Sequence, residues 1–229
     1  EEQLSGNWST KEDVWNTPSP FTAAHPFGYF GGGNGPKSSV DRIDYSSDTA
    51  TAVAKGPLTV ARVIIGATGN SSFGYFGGGD NPVKSTVDRI DYSNDTATAS
   101  SKGPLSVAKR GSTATGNSSF GYFAGGIISA NISSVDRIDY SNDTATAVAK
   151  GPLSSARRYL AATGNSNFGY FGSDAPRSTV DRIDYSNDTT TAVVKGPLSV
   201  ADEGQGATGN SSFGYFGGGG GPVKSTVDR

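Results

Sequence analysis

Carboxylates are the most numerous side chains of this sequence that could do acid–base chemistry, because Asp and Glu number 21 in 229 residues. Two acids facing one bond are the arrangement that a glycosidase uses. Most of the aspartates, however, recur in successive similar segments, among them Asp41, Asp44, Asp88, Asp91, Asp136, Asp139, Asp181 and Asp184. Such repetition is typical of a structural role. In the motif Asp-Arg-Ile-Asp the arginine and the second aspartate share one side of a strand, which predicts a structural ion pair between them.

Asp202 and Glu203 are the exceptions, since they occur only once, and an acid pair or a cation site is conceivable there. Few other residues of the sequence are of a type that could take part in catalysis. The chain has no cysteine, which excludes disulfides, thiolate zinc sites and cysteine nucleophiles. Its single histidine, His25, is expected to be packed or hydrogen-bonded rather than a ligand. We therefore predict a protein that is not an enzyme, with no catalytic residue, metal or cofactor.

The charge balance limits the classes of partner that the protein is expected to bind. Lys and Arg number 19 against 21 acids, a net charge of -2, so no basic footprint for nucleic acid exists. No apolar run approaches the roughly 20 residues of a membrane helix, which predicts no membrane insertion. The glycine run at 217–221 is followed by Pro222 rather than by the adjoining lysine and helix of a phosphate-binding loop, so turn geometry explains it better than a phosphate site.

Five similar segments carry these residues. The tetrapeptide Phe-Gly-Tyr-Phe begins at Phe27, Phe73, Phe120, Phe168 and Phe213, and Val-Asp-Arg begins at Val40, Val87, Val135, Val180 and Val227. Each of the first four valines stands 33 residues before the next tetrapeptide. All variation in length therefore falls between the tetrapeptide and Val-Asp-Arg, and that stretch is expected to be a loop because loops absorb insertions cheaply.

A period near 46 residues predicts an all-β propeller with antiparallel blades of four strands. In the second segment we expect strand a at residues 62–68, strand b at 73–76, strand c at 85–92 and strand d at 96–102. The Lys-Gly-Pro that ends strand d discourages pairing at an outer edge.

Residues 1–229 are interpreted as one domain of five blades, since 229 divided by five is about 46. Residues 1–26 are expected to close the ring by completing the blade begun at residues 213–229, with Trp8 at the level of strand d, and Trp8 and Trp15 packed on that blade. The 26 leading and three final residues total 29, short of 33, so a piece of a longer ring is the alternative.

The order of these features resembles the kelch repeat. Phe73-Gly74-Tyr75-Phe76-Gly77-Gly78 is followed by Val87-Asp88-Arg89-Ile90-Asp91-Tyr92 and then by Gly103-Pro104-Leu105. The tryptophan usual in the outer kelch strand is replaced by Thr and Ala, so the chain is described as kelch-like. The repeat wording is also similar to arrays in structural proteins of marine bacteriophages, which implies a virion component by analogy.

Two zones differ between segments. One is the b–c loop, at residues 34–37, 80–84, 127–132 and 174–177; the other is the entry to strand a, at 62–65, 109–112, 157–160 and 202–205. In an up-and-down blade both zones leave the same face of the disc. Variable loops on a rigid scaffold are typical of a binding surface, and drift after duplication is the alternative. The candidate partner-binding residues are Arg62, Lys109, Arg110, Arg157, Arg158, Tyr159, Asp202 and Glu203.

The function that these observations predict is a non-enzymatic structural or adhesive module. It would contact a protein of a virion or cell surface through the variable face, in a virion or extracellular setting. The alternative is a carbohydrate-binding propeller with one site per blade. A lectin of that kind should repeat one aromatic and polar set in each variable zone, whereas these zones differ in size and charge.

Overall fold

The computed structural model describes residues 26–174, 176–220 and 225–229. These residues form five antiparallel sheets, the blades of a ring around a narrow central channel, which confirms the all-β five-bladed propeller. Blade 1 consists of β1 (Phe27–Gly31), β2 (Val40–Asp44) and β3 (Val53–Lys55).

The other four blades follow in chain order. Blade 2 contains β4 (Gly66–Gly69), β5 (Phe73–Gly77), β6 (Val87–Asp91) and β7 (Ser100–Lys102). Blade 3 contains β8 (Thr113–Gly116), β9 (Phe120–Ala124), β10 (Val135–Asp139) and β11 (Val148–Lys150). Blade 4 contains β12 (Ala161–Gly164), β13 (Phe168–Asp174), β14 (Arg177–Asp184) and β15 (Val193–Lys195). Blade 5 contains β16 (Gly206–Gly209), β17 (Gly214–Gly217) and β18 (Val227–Asp228). Three short 3-10 turns, Tyr92–Asn94, Tyr140–Asn142 and Tyr185–Asn187, follow strand c in blades 2 to 4.

The described strands of each blade form a simple meander, and in blades 2 to 4 strand a is innermost and strand d outermost. In blade 2, strands a, c and d are shorter than predicted, whereas strand b is one residue longer. Strand a of blade 2 begins at Gly66, because the preceding residues run along the rim and Ile64 has a positive φ of 56°. Strand d begins at Ser100, because the residues before it bond to the preceding blade: Ala99 donates its amide to Pro57 at 2.9 Å.

Aromatic side chains from strand b fill the space between blades. Phe123 of blade 3 is fully buried against Gly77 of blade 2, where an added Cβ would stand only 2.6 Å from its ring. Phe76 and Phe216 pack in the same way on Gly31 and Gly172. The glycines of strand b therefore admit the rings of the next blade, and the aromatic residues supply core that a chain with few large aliphatics would lack.

The predicted closing segment lies mostly outside the described residues. The predictions for Trp8, Trp15, His25 and the outer strand of the last blade all concern residues 1–25. They remain predictions, as does the assignment of residues 1–229 to one domain. Over the described ranges, no helix is long and apolar enough to cross a membrane.

Candidate functional site

The two variable zones lie side by side on one face of the ring, as the meander requires. Isolated bridges join Val63 to Asp80 and Arg110 to Ile127 within blades, and Ile132 to Arg157 across a joint between blades. The b–c loops and the strand-a entries therefore form one continuous rim over the described part of blades 1 to 4.

Three of the eight candidate binding residues are buried beneath this rim. Arg62, Lys109 and Arg157 have no exposed surface. Each pairs with the first aspartate of Val-Asp-Arg in its own blade: Arg62 with Asp88 at 2.7 Å, Lys109 with Asp136 at 2.8 Å, and Arg157 with Asp181. A side chain without exposed surface cannot contact a partner, so these three residues are corrected from binding candidates to parts of the framework.

The cation of each pair also holds its blade together. Arg62 donates to the carbonyls of Gly78 at 2.7 Å and Thr86 at 2.8 Å, and so ties strand a to both ends of the b–c loop. Burial lowers the pKa of Lys109, while the charge of Asp136 acts in the opposite direction. Removing one partner of such a pair would leave an uncompensated buried charge, at a cost of about 3–5 kcal/mol.

The predicted ion pair within strand c is wrong. Arg89 reaches Asp143 of the next blade at 2.7 Å instead of Asp91 in its own strand. Asp91 accepts hydrogen bonds from the hydroxyl of Ser93 at 2.6 Å and from its amide at 2.9 Å, and these lower the pKa of Asp91. The second aspartate therefore caps the turn after strand c, because the donors two residues ahead are nearer than the arginine.

Arg89 belongs to a socket that receives a turn of the next blade. We define the socket as the tyrosine of strand b, the arginine of strand c and the lysine that ends strand d. The inserted part is a tyrosine–aspartate turn, with the spacing Tyr-x-x-Asp. In blade 2, Asp143 accepts from Tyr75 at 2.9 Å and pairs with Arg89 and with Lys102 at 3.3 Å.

The same socket occurs at three joints of the ring. Asp95 inserts into Tyr29, Arg42 and Lys55 of blade 1, and Asp188 into Tyr122, Arg137 and Lys150 of blade 3. The tyrosine of each turn stacks on that of the socket, with ring centroids 4.7–4.8 Å apart: Tyr92 on Tyr29, Tyr140 on Tyr75, and Tyr185 on Tyr122. Repeated aspartates thus serve to join blades.

Electrostatics favour the ionised form of the inserted aspartates. Burial alone would raise the pKa of Asp95, but the hydrogen bonds from Tyr29 and Lys55 and the charge of Arg42 bring it below its usual value. The pKa of Asp188 is lowered by the corresponding partners, again against the effect of burial. Tyr29 and Tyr122 are held as neutral donors, since burial and the neighbouring carboxylate raise the pKa of each phenol.

Four of the remaining candidates lie on the accessible part of the face. Arg110 is partly exposed and pairs with Asp80 in the b–c loop of the preceding blade. The guanidinium of Arg158 lies 5.0 Å from the ring centroid of Tyr159, and both side chains are half-buried. Glu203 is also half-buried. Sequence reasoning missed the exposed Ile64 and Ile128, because it weighed charge above exposure.

The entry residues are fixed by a chain of hydrogen bonds around the channel mouth. Gly111 donates its amide to Ile64 at 3.1 Å, Tyr159 to Gly111 at 2.9 Å, and Gly204 to Tyr159 at 3.3 Å. All four have positive φ, from 51° to 70°. Tyr159 is therefore held by backbone bonds on a conformation that a non-glycine residue seldom adopts.

Asp202 occupies the place that a buried cation takes in blades 2 to 4. It stands 11 residues before Phe213, as Arg157 stands 11 before Phe168. Asp202 is buried, and its carboxylate accepts from the amides of Glu203 at 2.8 Å and Gly220 at 3.3 Å. Backbone amides therefore occupy one oxygen of the carboxylate, Oδ1, and the described ranges contain no cluster of three acids or histidines suited to a metal.

The central channel offers little chemistry. Its cavity of about 260 Å³ is lined by an alanine from each described inner strand, Ala67, Ala114, Ala162 and Ala207 among its residues. Thr113, Thr163 and Thr208 line it as well, and no charged side chain is among its described lining residues. The outer face therefore remains the candidate site.

Comparison with known proteins agrees with the fold. No protein-family model matches the sequence. No curated protein matches it either. The solved structure of YjhT, a propeller, is similar with a TM-score of 0.70 at 14% sequence identity, covering 86% of this chain and 70% of that one. At this identity the likeness establishes the propeller fold alone.

Proposed function

We propose that this propeller is a non-enzymatic structural or adhesive module that binds a protein partner through the variable face. The face is formed by Arg110, Arg158, Tyr159 and Glu203, with Ile64 beside them. The observation that carries the proposal is the position of the differences between blades. They lie on the exposed rim, whereas the buried cation–aspartate pairs beneath it recur in blades 2, 3 and 4.

A protein partner suits this surface better than a repeated glycan site. Arginine and tyrosine are enriched at the centres of protein interfaces. The tyrosine ring and the planar guanidinium of arginine each bury a large contact area and lose little conformational entropy. Ile64 is 42% exposed and Ile128 is 44% exposed, which adds apolar area to the charged residues. The equivalent positions of the other blades carry different residues, so the surface is one composite patch.

The proposed setting is a bacteriophage particle or another extracellular structure, and the proposed family is kelch-like. Support comes from the wording of the repeat and from the order of its features. A rigid ring that presents non-identical loops suits the display of an adhesive surface.

Adsorption to cells tests the proposal. Fluorescently labelled protein is incubated with a panel of marine bacterial isolates, and the variant R110A/R158A/Y159A is compared with S71A/S118A/S166A at the exposed a–b turns of the opposite face. We expect the first variant to lose adsorption at least tenfold without a change in melting temperature, and the second to behave as wild type. Equal losses from both faces would contradict the proposal, and saturable binding on a glycan array would favour the carbohydrate alternative.

A further inference from the structure

The b–c loop of blade 1 contains the dipeptide Asn34-Gly35, and no other asparagine of the sequence precedes a glycine. Both residues are exposed and lie in a turn at residues 34–36. The amide nitrogen that follows an asparagine can attack the side-chain carbonyl carbon of that asparagine. A glycine obstructs this attack least, because it has no Cβ. The dipeptide is therefore a candidate for deamidation, a reaction that needs only water.

The geometry of the turn brings the two reacting groups together. The amide nitrogen of Gly35 donates a hydrogen bond to Oδ1 of Asn34 at 3.0 Å. Because Oδ1 is bonded to the carbon that would be attacked, the nitrogen lies beside that carbon. Gly35 has a positive φ of 69°, and a Cβ added to it would meet nothing within 4 Å. The space around Gly35 therefore leaves room for a ring to close between the two residues.

The asparagines of the a–b turns are held in a different way. Oδ1 of Asn70 accepts hydrogen bonds from the amides of Ser72 and Phe73, both at 2.9 Å. Asn117 and Asn210 accept from the corresponding amides of their own turns. In each case the side chain is bonded to amides two and three residues ahead instead of the amide next to it. The repeated turns thus protect their asparagines, whereas the turn in blade 1 does not.

We propose that Asn34 is a site of spontaneous deamidation, promoted by the turn that holds the amide of Gly35 against it. The nitrogen of Gly35 forms a bond to Cγ of Asn34, and the bond from Cγ to Nδ2 breaks. The amide proton and the departing NH₂ group leave together as ammonia. Water then opens the succinimide ring at either carbonyl, which yields aspartate or isoaspartate at position 34.

The product changes the variable face in two ways. It adds a carboxylate to the b–c loop of blade 1, where Lys37 supplies the charge of the unmodified loop. The isoaspartate form also routes the backbone through Cβ and so lengthens the loop by one methylene. A single reaction of the chain with water therefore alters both the charge and the length of one of the loops that differ between blades.

Peptide mapping of the intact protein after incubation in mildly alkaline buffer tests this assignment. We expect fragment ions to locate an amide-to-acid mass increase at Asn34, in two chromatographic species, one of which a protein isoaspartyl methyltransferase labels. Asn70, Asn117 and Asn210 are the internal controls, and their deamidation should be at least about tenfold slower because their side chains are bonded elsewhere. No conversion of Asn34 over a period in which the denatured protein is converted there overturns the proposal.

Three variants separate the turn from exposure alone. Gly35→Ala disfavours the positive φ and shields the attacking nitrogen, so deamidation of Asn34 should slow at least about tenfold. Ser39→Ala, at an exposed position after the same loop, should react as wild type. Ser71→Gly gives Asn70 a following glycine but retains its bonds to the amides ahead, so Asn70 should still react more slowly than Asn34. Equal rates at Asn70 and Asn34 in that variant would overturn the role of the turn.

Discussion

Two joints of the ring contain the same residues in different surroundings. Between blades 2 and 3, the socket of Tyr75, Arg89 and Lys102 encloses Asp143, and Tyr75 is completely buried. Between blades 4 and 5, the socket of blade 4 faces a cavity, and Tyr170 is only half-buried. Over the described residues, identical residue types therefore enclose a carboxylate of the next blade at one joint and line a cavity at the other.

The strand-a entries show the same contrast. In blades 2 to 4 a buried cation neutralises the aspartate of strand c, but in blade 5 Asp202 stands at the position of that cation. Over the described residues, Asp228 has no ion pair. The buried cation–aspartate pair thus forms in blades 2 to 4, where both partners are present. Blade 5 has an aspartate in place of the cation.

The largest expected effect comes from removing a buried aspartate. Asp181→Ala leaves Arg157 charged and fully buried, so we expect a loss of about 3–5 kcal/mol in the free energy of unfolding. Asp228→Ala, at the same position of blade 5, should change it by less than about 0.5 kcal/mol. Urea unfolding measures both. Equal losses would show that the buried pairs are not what distinguishes the blades.

A second matched pair compares the backbone at two joints. Gly103→Ala places a methyl group against the carbonyl of Ala145 and forces the blades apart, at a cost of about 2–3 kcal/mol. Gly196→Ala meets open space, so its melting temperature should equal that of the wild type. A fall in melting temperature for Gly196→Ala would mean that the joint between blades 4 and 5 is filled in solution.

The smallest expected effect concerns pH. Because the folded-state pKa of Asp188 lies below its usual value, its contribution is present at pH values above about 4 and is lost as pH falls through the lowered pKa. Asp188→Asn should therefore lower the free energy of unfolding at neutral pH. The further decrease in that free energy as the pH falls should be smaller than in the wild type. Asp48→Asn, at the exposed equivalent in blade 1, is the control. The free energy of unfolding is measured at a series of pH values. An equal decrease with falling pH in Asp188→Asn and in the wild type would contradict this account.

Much of the fold could be predicted because the signals are local and repeated. The recurring signals are the aromatic strand b, the Asn-rich turns and the Lys-Gly-Pro endings, and their common spacing is enough to predict five antiparallel blades. The order of the strands then predicts the face of the disc on which the variable zones lie. The site was predicted less well. The zone that varies between blades includes three residues that are fully buried, Arg62, Lys109 and Arg157. Variation between repeats therefore does not reveal which side chains are exposed.

The sequence by itself determined the number of blades, their strand order and the placement of all length variation in one loop, since each depends on neighbours within a single repeat. Only the tertiary structure decided which aspartate meets which cation. Arg89 finds Asp143 across 54 residues in preference to Asp88 and Asp91, one and two positions away, and Arg62 finds Asp88 across 26. The physical reason is that a charge taken out of water is stabilised by the partner enclosed with it, and enclosure is a property of packed blades, not of spacing along the chain.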